Sequence, residues 1–320
     1  MKASKVLITG VSGFIGEALV FRLLVDKKFI PVAAARRATK FQGLCPVVSL
    51  DLNAPEAFPA FDDVSVVIHA AARVHVMNET ASDAVSEFRK VNVDGTLHLA
   101  KKAAESGVKR FIFISSIKVN GESTPPGKPF LADDVPAPMD PYGVSKREAE
   151  DALKQLGSET GMEVVIVRPP LVYGPGVKAN FLSMLRWLSR GVPLPLGAIH
   201  NQRSLVALEN LVDFIVTCIN HPDAANETFL VSDGCDLSTT QLLRQLAAAL
   251  GKKCRLLPIP QRCIIIVATL LKQKAVAQRI CGSLQVDINK AHELLGWVPP
   301  VSIELAMRRT VDHYQDKQTK

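Results

Sequence analysis

The sequence predicts an α/β fold in which a doubly wound parallel sheet carries helices on both faces. Short β-branched runs alternate with amphipathic segments through the first half of the chain, a pattern typical of βαβ units with right-handed crossovers. The length of 320 residues, about twice a common domain of about 150, leaves room for a second, smaller part. An apolar content of 48% with 22% charged residues is typical of a globular protein and excludes a disordered chain.

Six segments of the first half are predicted as buried strands, because they are short, apolar and rich in β-branched residues. They are Val6 to Ile8, Pro31 to Ala35, Pro46 to Leu50, Val64 to His69, Arg110 to Ser115 and Glu163 to Arg168. Helix patterns lie between several of them, most clearly at Phe14 to Val25, Glu87 to Ser106 and Tyr142 to Thr160. Residues 1–170 are therefore predicted to form the parallel-sheet domain, to which later segments of the chain can return.

The pattern changes after Arg168, because prolines and glycines interrupt the chain repeatedly up to Gly197. Three helix patterns follow among short isolated strands, at Phe181 to Arg190, Glu209 to Asn220 and Thr239 to Gly251. Residues 171–320 are therefore predicted to form mainly a smaller C-terminal α/β subdomain that packs closely on the first part.

The longest apolar stretch, Cys263 to Leu271, is far shorter than the roughly 18 to 20 residues of a membrane span. It is interpreted as a helix of the hydrophobic core, with a helix lying at an interface as the alternative. The apolar run at Val6 to Ile8 is too short for a signal peptide. The six cysteines lie at least nine residues apart, which argues against C-x-x-C sites. These features predict a cytoplasmic protein with no membrane span and no metal site.

The charged residues give little guidance about partners. The 38 basic and 31 acidic residues amount to a formal net charge of +7, which is interpreted as an excess spread along the chain. Because no block of five or more like charges occurs, a nucleic-acid surface is not expected. A mild positive charge suits the steering of a small anionic ligand, but a basic, soluble surface explains it equally well.

The first informative motif is TGVSGFIG at residues 9–16, directly after a predicted strand and before a predicted helix. Gly10, Gly13 and Gly16 permit a tight turn and a close approach of the backbone to a pyrophosphate, whose charge then lies at the helix N-terminus. This context predicts a dinucleotide-binding site. Phe14 and Ile15 belong to the same turn and are assigned to the same site.

The residues after the second strand bear on which dinucleotide binds. Folds that bind NAD place an acidic residue there for the ribose 2′-hydroxyl, whereas this chain has Arg36 and Arg37. A guanidinium group matches a phosphate, so NADP(H) is favoured and NAD(H) remains possible; solvated arginines are the alternative interpretation. Asp51, after the third strand, is a candidate acceptor for the adenine amino group, and its neighbour Leu52 is assigned to the same site.

Catalytic chemistry is indicated by Tyr142 and Lys146, which form Y-x-x-x-K one turn apart on a predicted helix. A lysine ammonium beside a phenol lowers the pKa of the phenol and makes it a competent proton donor or acceptor. Ser115 and Ser116 end the fifth strand, at the sheet edge where ligands bind. A nicotinamide that exchanges hydride, a tyrosine that moves a proton and a serine that orients oxygen together describe hydride transfer at a carbinol or carbonyl carbon.

These motifs resemble those of the extended short-chain dehydrogenase/reductases, and in particular the NAD-dependent epimerase/dehydratase group that acts on nucleotide sugars. The resemblance covers nearly the whole chain. The matching segments are TGVSGFIG, VIHAAARV at 67–74, VNVDGT at 91–96, FISS at 113–116, YGVSK at 142–146 and RPPLVYGPG at 168–176. The resemblance implies a Rossmann fold, a UDP-sugar substrate bound between the two parts of the chain, and a homodimer.

The resemblance also implies roles for individual residues. Ser116, Tyr142 and Lys146 become the catalytic trio; Tyr142 and Lys146 also contact the cofactor, and Ser116 and Tyr142 the substrate. Asn92 braces the central helix. The cofactor is further lined by Ala70, Ala71, Ala72, Ser115 and Pro169.

Four further residues are assigned to the substrate. Asn180, after the G-P-G loop, and Arg203, in the following strand, are expected to contact the nucleotide diphosphate. Arg279 is a looser match for a second such arginine, and surface cations are the alternative for both arginines. Lys118 is expected either to face the sugar or to be an inert loop lysine.

The residues that follow Ser116 distinguish between reactions. The 4,6-dehydratases of the family carry an Asp–Glu pair there, whereas this chain has Ile117 and Lys118, so dehydration is disfavoured. The segments SSIKVNGE, HAAARVHVM and RSLVALENLVDF are most similar to the bacterial UDP-N-acetylquinovosamine synthesis enzymes. The main prediction is therefore NAD(P)H-dependent reduction of the C4 keto group of a UDP-4-keto-6-deoxy-N-acetylhexosamine, for O-antigen or other surface polysaccharide. A UDP-glucose or UDP-GlcNAc 4-epimerase is the alternative, and a non-catalytic dinucleotide-sensing regulator is the remote one.

Overall fold

The computed structural model describes residues 4–74, 84–125, 127–271 and 273–318. Seven parallel strands of this described part form the central sheet. They are β1 (Lys5–Thr9), β2 (Ile30–Ala35), β3 (Val47–Ser49), β4 (Val64–His69), β5 (Arg110–Ile114), β6 (Glu163–Arg168) and β9 (Thr228–Leu230). A separate parallel pair consists of β7 (Leu171–Tyr173) and β8 (Leu205–Ala207).

Helices connect and cover these strands. Before β7 they are α1 (Phe14–Asp26), α2 (Ala84–Arg89), α3 (Gly95–Glu105) and α4 (Pro141–Thr160). After β7 they are α5 (Ala179–Ser189), α6 (Leu208–Cys218), α7 (Thr239–Ala249), α8 (Gln261–Leu270), α9 (Lys274–Cys281), α10 (Asn289–Leu295) and α11 (Ile303–Asp316).

The strand order of the central sheet is β3-β2-β1-β4-β5-β6-β9. The chain runs outward from β1 to β3, then crosses back to place β4 on the other side of β1. The carboxyl ends of β1 and β4 therefore flank the point where the winding reverses, which is where doubly wound sheets bind ligands. The predicted fold class is confirmed, since seven parallel strands with flanking helices form a Rossmann-like fold.

Both faces of the sheet are buried. Val6 and Ile8 of β1 point to the face covered by α1 and α6, whereas Leu7 between them points to the face covered by α3 and α4. This alternation is the period of two that a strand imposes on its side chains, and burial on both faces explains why the strands read as continuous apolar runs.

The helix predicted at Glu87 to Ser106 is present but is not uniform. A π-helical segment at residues 90–94 joins α2 to α3 and contains buried Asn92. A π turn widens the helix locally, and such turns are often found at functional sites.

The second half of the chain has its own core and also contributes to the first. Side chains of α5, α7 and α11 pack around the β7–β8 pair, whereas β9 joins the central sheet beside β6. Phe214 of α6 and Trp297 lie against each other in the core beneath the sheet, with ring centroids 5.0 Å apart. The division of the chain at residue 170 stays a prediction.

The prediction that Cys263 to Leu271 forms a core helix is wrong. The segment is helical as α8, but none of its residues is buried. Ile264 packs against the core of the second half, while the remaining large aliphatic side chains of α8 face solvent. An apolar composition cannot distinguish a core helix from a helix whose apolar side is left uncovered. No helix within the described ranges is long and apolar enough to cross a membrane.

Candidate functional site

The glycine turn between β1 and α1 lies at the reversal point of the sheet. Gly10 has φ +71°, and a Cβ atom there would lie 2.7 Å from the carbonyl carbon of Ala70 and the nitrogen of Ala71. The amide of Gly13 donates to the Gly10 carbonyl at 2.8 Å, and a Cβ on Gly16 would overlap that same carbonyl. The turn thus needs residues without side chains, and it presents backbone to the carboxyl edge of the sheet as a pyrophosphate-binding turn requires.

Other residues assigned to the cofactor lie around this turn. Ala70, Ala71 and Ala72 are half-buried just after β4, beside the turn. Leu52 is buried against Gly95 of α3, where a Cβ would lie 2.9 Å from Leu52, and half-buried Asp51 accepts the backbone N–H of Asn53. The residues present thus fit a dinucleotide laid across the carboxyl ends of β1, β2 and β4.

Arg36 and Arg37 follow directly after β2 and are both exposed. This is the strand end at which doubly wound folds contact the ribose next to adenine. The position agrees with the predicted contact to a 2′-phosphate, but solvent exposure also agrees with the alternative of solvated side chains.

The candidate catalytic residues meet where β5 ends and α4 begins. Lys146 is fully buried; its Nζ donates to the Ile114 carbonyl at 2.8 Å and lies 4.3 Å from the centre of the Phe113 ring. Tyr142 is half-buried in the first turn of α4. Ser116 begins a 3₁₀ turn, in which its Oγ accepts the backbone N–H of Lys118 at 3.3 Å.

A glycine keeps these two elements together. A Cβ on Gly143, the residue after Tyr142, would lie 2.9 Å from the Lys118 carbonyl oxygen. The start of α4 therefore packs backbone to backbone on the turn that follows Ser116, and only glycine permits this distance.

Burial governs the proton affinities of the Tyr–Lys pair. Burial, with a smaller contribution from the Asp140 carboxylate, raises the pKa of Tyr142 to about 12. Burial also lowers the pKa of Lys146 to about 7, although Glu150 opposes this shift. The sequence-based expectation of a lowered tyrosine pKa is therefore not met in the protein alone. The physical reason is that burial disfavours the charged phenolate, while Nζ of Lys146 is directed at the Ile114 carbonyl.

Lys118 is engaged in ion pairs. Its Nζ contacts a carboxylate oxygen of Asp140 and lies 3.2 Å from the Glu122 carboxylate. Asp140 is the N-cap of α4, because its other oxygen accepts the Gly143 N–H at 2.7 Å. Lys118 thus connects the turn after Ser116 to the start of the tyrosine helix.

A buried ion pair beneath the site was not identified from the sequence. Nη2 of Arg168 lies 2.6 Å from the Glu150 carboxylate, and both side chains are fully buried. Glu150 also accepts the hydroxyl of Ser115, and Arg168 donates to the Asn120 amide oxygen at 3.0 Å. Ser115 is assigned to the cofactor from the sequence, but in the structure its hydroxyl donates to Glu150. Pro169 is buried nearby, and its carbonyl accepts the N–H of Ile117 at 3.0 Å.

A second missed cluster joins β1, β4 and α3. Nδ1 of His69 lies 2.7 Å from the Thr9 hydroxyl, and Nε2 lies 2.9 Å from the Thr96 hydroxyl. The Thr9 hydroxyl also accepts the backbone N–H of Ala71. Burial, helped by the positive charge of Lys146, lowers the pKa of His69 to about 3, so the ring is neutral and holds the loop after β4 against the glycine turn.

Asn92 contacts the helix that carries Tyr142, in line with the bracing role that the family resemblance implied. Its side chain accepts the Arg73 N–H at 2.8 Å and donates to the Arg73 carbonyl at 3.0 Å. It also donates to the Ser145 hydroxyl at 3.0 Å, and Ser145 in turn donates to the carbonyl of Tyr142. The widened turn at 90–94 thus aims one amide at both the loop after β4 and the helix that carries Tyr142.

The residues assigned to the substrate lie in the second half of the chain. Asn180 is exposed in the first turn of α5. Nη1 of Arg203 donates to the carbonyls of Arg279 and Gly282, each at 3.0 Å, and burial lowers the pKa of Arg203. The Arg279 side chain is exposed on α9. The two arginines are thus brought together, through the main chain of Arg279.

The fold is that of the extended short-chain dehydrogenase/reductases. The chain belongs to the NAD dependent epimerase/dehydratase family, whose model matches residues 6–232. The family predicted from the sequence motifs is thereby confirmed. The narrower resemblance to UDP-N-acetylquinovosamine synthesis enzymes stays a prediction.

Relatives span nearly the whole chain. A Vibrio cholerae protein named UDP-glucose 4-epimerase is 49% identical over 312 residues, covering 97% of this chain and 95% of its own. An Escherichia coli O157:H7 N-acetyl-alpha-D-glucosaminyl-diphospho-ditrans,octacis-undecaprenol 4-epimerase is 27% identical over 335 residues, covering 96% and 94% of the two chains. The solved structure of UDP-glucose 4-epimerase from Thermotoga maritima with UDP-glucose has a TM-score of 0.78 at 23% identity, covering 98% and 99% of the two chains. The likeness to that structure shows the fold.

Proposed function

We propose that this protein is an NAD-dependent UDP-hexose 4-epimerase that interconverts UDP-glucose, or its N-acetylated counterpart, with the C4 epimer. The observation that carries the proposal is the 49% identity to the Vibrio cholerae protein of that name over nearly the full length of both chains. This order reverses that of the sequence-based prediction, in which ketoreduction stood first.

The proposed chemistry uses the residues gathered at the end of β5 and the start of α4. Bound nicotinamide supplies a hydride acceptor and donor for the sugar C4. Tyr142 would act as the phenolate, having first released its own proton to solvent, a form that the positive charge of oxidised nicotinamide favours. It then removes the proton of the C4 hydroxyl and later returns it, while Ser116 hydrogen-bonds the same oxygen. Lys146 has a pKa near 7, so it can hold or release a proton at neutral pH. It assists the proton transfer at Tyr142. A 4-epimerase needs no second acid, because the proton leaves and returns through one phenol.

The cofactor is proposed to be NAD(H), held by the turn of Gly10, Gly13 and Gly16 and by the loop at Ala70. The family description supports NAD, whereas a preference for NADP(H) has only Arg36 and Arg37 in its favour. A 4-epimerase regenerates its cofactor in each turnover, so tight retention is useful and a consumable reductant is not required.

The second candidate is reduction of a UDP-4-keto-6-deoxy-N-acetylhexosamine at C4 by NAD(P)H. The specific observation in its favour is the exposed arginine pair after β2, which suits the 2′-phosphate of a consumed NADPH. The same trio would serve, with Tyr142 donating its proton to the developing alkoxide.

One experiment separates the two candidates. Purified protein is incubated with UDP-glucose and with UDP-GlcNAc, and the sugars are resolved by anion-exchange chromatography and NMR. In parallel, absorbance of reduced nicotinamide is followed with NADH or NADPH and the 4-keto-6-deoxy product of a UDP-GlcNAc dehydratase. Interconversion without net change in absorbance supports the epimerase. Stoichiometric oxidation with a new UDP-deoxysugar overturns it in favour of the reductase, and cofactor binding with neither reaction indicates a regulator.

We further propose a homodimer that forms through α3 and α4, the helices that precede and contain Tyr142. Sedimentation velocity of the purified protein tests this assembly directly. A monomer at micromolar concentration would contradict it.

A further inference from the structure

Helix α8 and its surroundings form an exposed apolar surface. We define the α8 face as the side chains of Ile265, Ile266, Val267, Leu270 and Leu271, all of which face solvent. Ile266 and Leu270 are the clearest cases, with 59% and 78% of their surface exposed. Contiguous exposed apolar surface of this kind marks an interaction site more often than scattered single residues do.

This exposure is built into the fold. Ile264 of the same helix packs into the core of the second half, and Gln261 donates to the Cys281 carbonyl at 3.1 Å. The segment before α8 is held by two backbone hydrogen bonds with Leu194. The Leu194 N–H donates to the Arg255 carbonyl at 2.9 Å, and the Leu257 N–H donates to the Leu194 carbonyl at 2.8 Å. The α8 face is therefore the uncovered surface of an anchored helix.

The charged residues around α8 are all basic. Residues 237–286 contain eight of the chain's 38 Lys and Arg residues and none of its 31 Asp and Glu residues. Elsewhere 30 basic residues stand against 31 acidic ones, a net charge of −1, so this single segment accounts for the whole positive excess. The expectation that the excess is spread along the chain is wrong. Lys252, Lys253, Arg255 and Arg262 are exposed just before or at the start of α8.

We propose that the α8 face docks on an anionic membrane surface, with its aliphatic side chains among the acyl chains and the neighbouring basic residues at the lipid headgroups. At 1.5 Å per residue the helix is about 15 Å long, too short to span a bilayer but suited to lie in the interface. Apolar side chains flanked by Lys and Arg are the combination that binds such helices to anionic lipids.

Charge complementarity decides between a lipid surface and a second copy of the chain. A second copy of the chain, docked face to face, would bring two segments of purely positive charge together, because a two-fold interface pairs a patch with itself. An anionic bilayer instead offers negative charge around an apolar interior. The negative charge matches the basic residues, and the apolar interior matches the exposed aliphatic side chains of the α8 face.

The test uses the full-length protein and vesicle sedimentation. Vesicles of phosphatidylcholine alone are compared with vesicles of equal parts phosphatidylcholine and phosphatidylglycerol, at low and high salt. The expected result is binding to the anionic vesicles, weakened by salt because screening reduces the attraction of the basic residues. Ile266→Asp/Leu270→Asp is expected to reduce the partition coefficient by roughly tenfold or more, since the variant places charge on the inserting side.

Matched controls separate this effect from a general loss of exposed apolar residues. Val135→Asp and Val298→Asp alter exposed loop valines outside the α8 face and should bind like the wild type. Lys253→Glu/Arg262→Glu should lose the preference for anionic vesicles. Absence of binding by the wild type, or equal binding by the α8 variants, overturns the proposal. So does a wild-type dimer that Ile266→Asp/Leu270→Asp converts to monomer, since a second copy then covers the face. Sugar turnover in solution is independent of these outcomes.

Discussion

Tyr142 is protonated at neutral pH in the protein alone, because burial holds its pKa near 12. Tyr142→Phe removes the proton but little volume, and we expect turnover to fall by about 10²- to 10⁴-fold, the usual contribution of a positioned acid–base group. The measurement is steady-state turnover beside dinucleotide affinity by calorimetry. Unchanged affinity with lost turnover supports the role, and retained turnover refutes it.

His69 predicts how stability depends on pH. Its folded-state pKa of about 3 lies below the ordinary value of 6.5. Between these values the unfolded chain binds a proton that the folded protein does not, so the free energy of unfolding falls as pH is lowered from about 6.5 to about 3. The slope contributed by this single group is at most ~1.4 kcal/mol per pH unit.

Urea denaturation at several pH values tests this contribution. His69→Gln keeps hydrogen-bonding atoms but does not titrate, so its stability should fall less steeply with acid than that of the wild type. His98→Gln, at an exposed position of α3, controls for removal of a histidine. Parallel curves for the wild type and His69→Gln would contradict the assignment.

At the scale of elements, the turn between β1 and α1 allows a controlled substitution. Gly10→Ala must adopt a left-handed φ and also place its methyl group against the backbone of Ala70 and Ala71. Gly107→Ala has a similar φ of +77° with no atom within 4 Å of the added methyl group. We expect Gly10→Ala to bind no dinucleotide, as measured by calorimetry. Gly107→Ala should bind it normally and lose only about 1 kcal/mol or somewhat more in the free energy of unfolding, the cost of backbone strain. Equal dinucleotide affinity of the two variants would argue against a pyrophosphate-binding site at this turn.

The ion pair between α4 and β6 is a second element-scale prediction. Arg168→Met leaves the Glu150 carboxylate buried without its cation, and we expect a loss of about 3–5 kcal/mol in the free energy of unfolding. Adding Glu150→Leu should restore part of the loss, because the double variant removes the unpaired charge. The measurement is the urea midpoint and slope of each variant. A smaller stability for the double variant than for Arg168→Met alone would contradict this account.

Elements with a strong local signal could be predicted from the sequence. The six strands, the glycine turn and Y-x-x-x-K were all placed correctly along the chain, because periodicity and spacing are local properties. The ion pair of Arg168 with Glu150 was missed, since its members belong to separate elements and meet only in the folded sheet. The exposure of α8 was missed for a related reason: composition reports that a helix is apolar, and the packing of distant elements determines whether it is covered.

At the scale of the whole molecule, the two halves of the chain share a core. Strand β9 pairs with β6, and Phe214 and Trp297 pack under the sheet next to α1. A fragment ending at residue 170 would leave β6 with an open edge and one face of the sheet largely uncovered. We expect this fragment to lack a cooperative urea transition by circular dichroism, whereas the full chain shows one. Cooperative unfolding of the fragment would support an independent first domain.

The hydrogen bonds of Arg203 bear on its proposed contact with the nucleotide diphosphate. Nη1 is committed to two main-chain carbonyls at the end of α9, which fixes the plane of the guanidinium. Within the described ranges no hydrogen bond engages the Nε and Nη2 edge, which has the fork arrangement that matches two oxygens of one anion. An arginine preorganised in this way loses little side-chain entropy when an oxyanion arrives, so selectivity would come from shape as well as from charge.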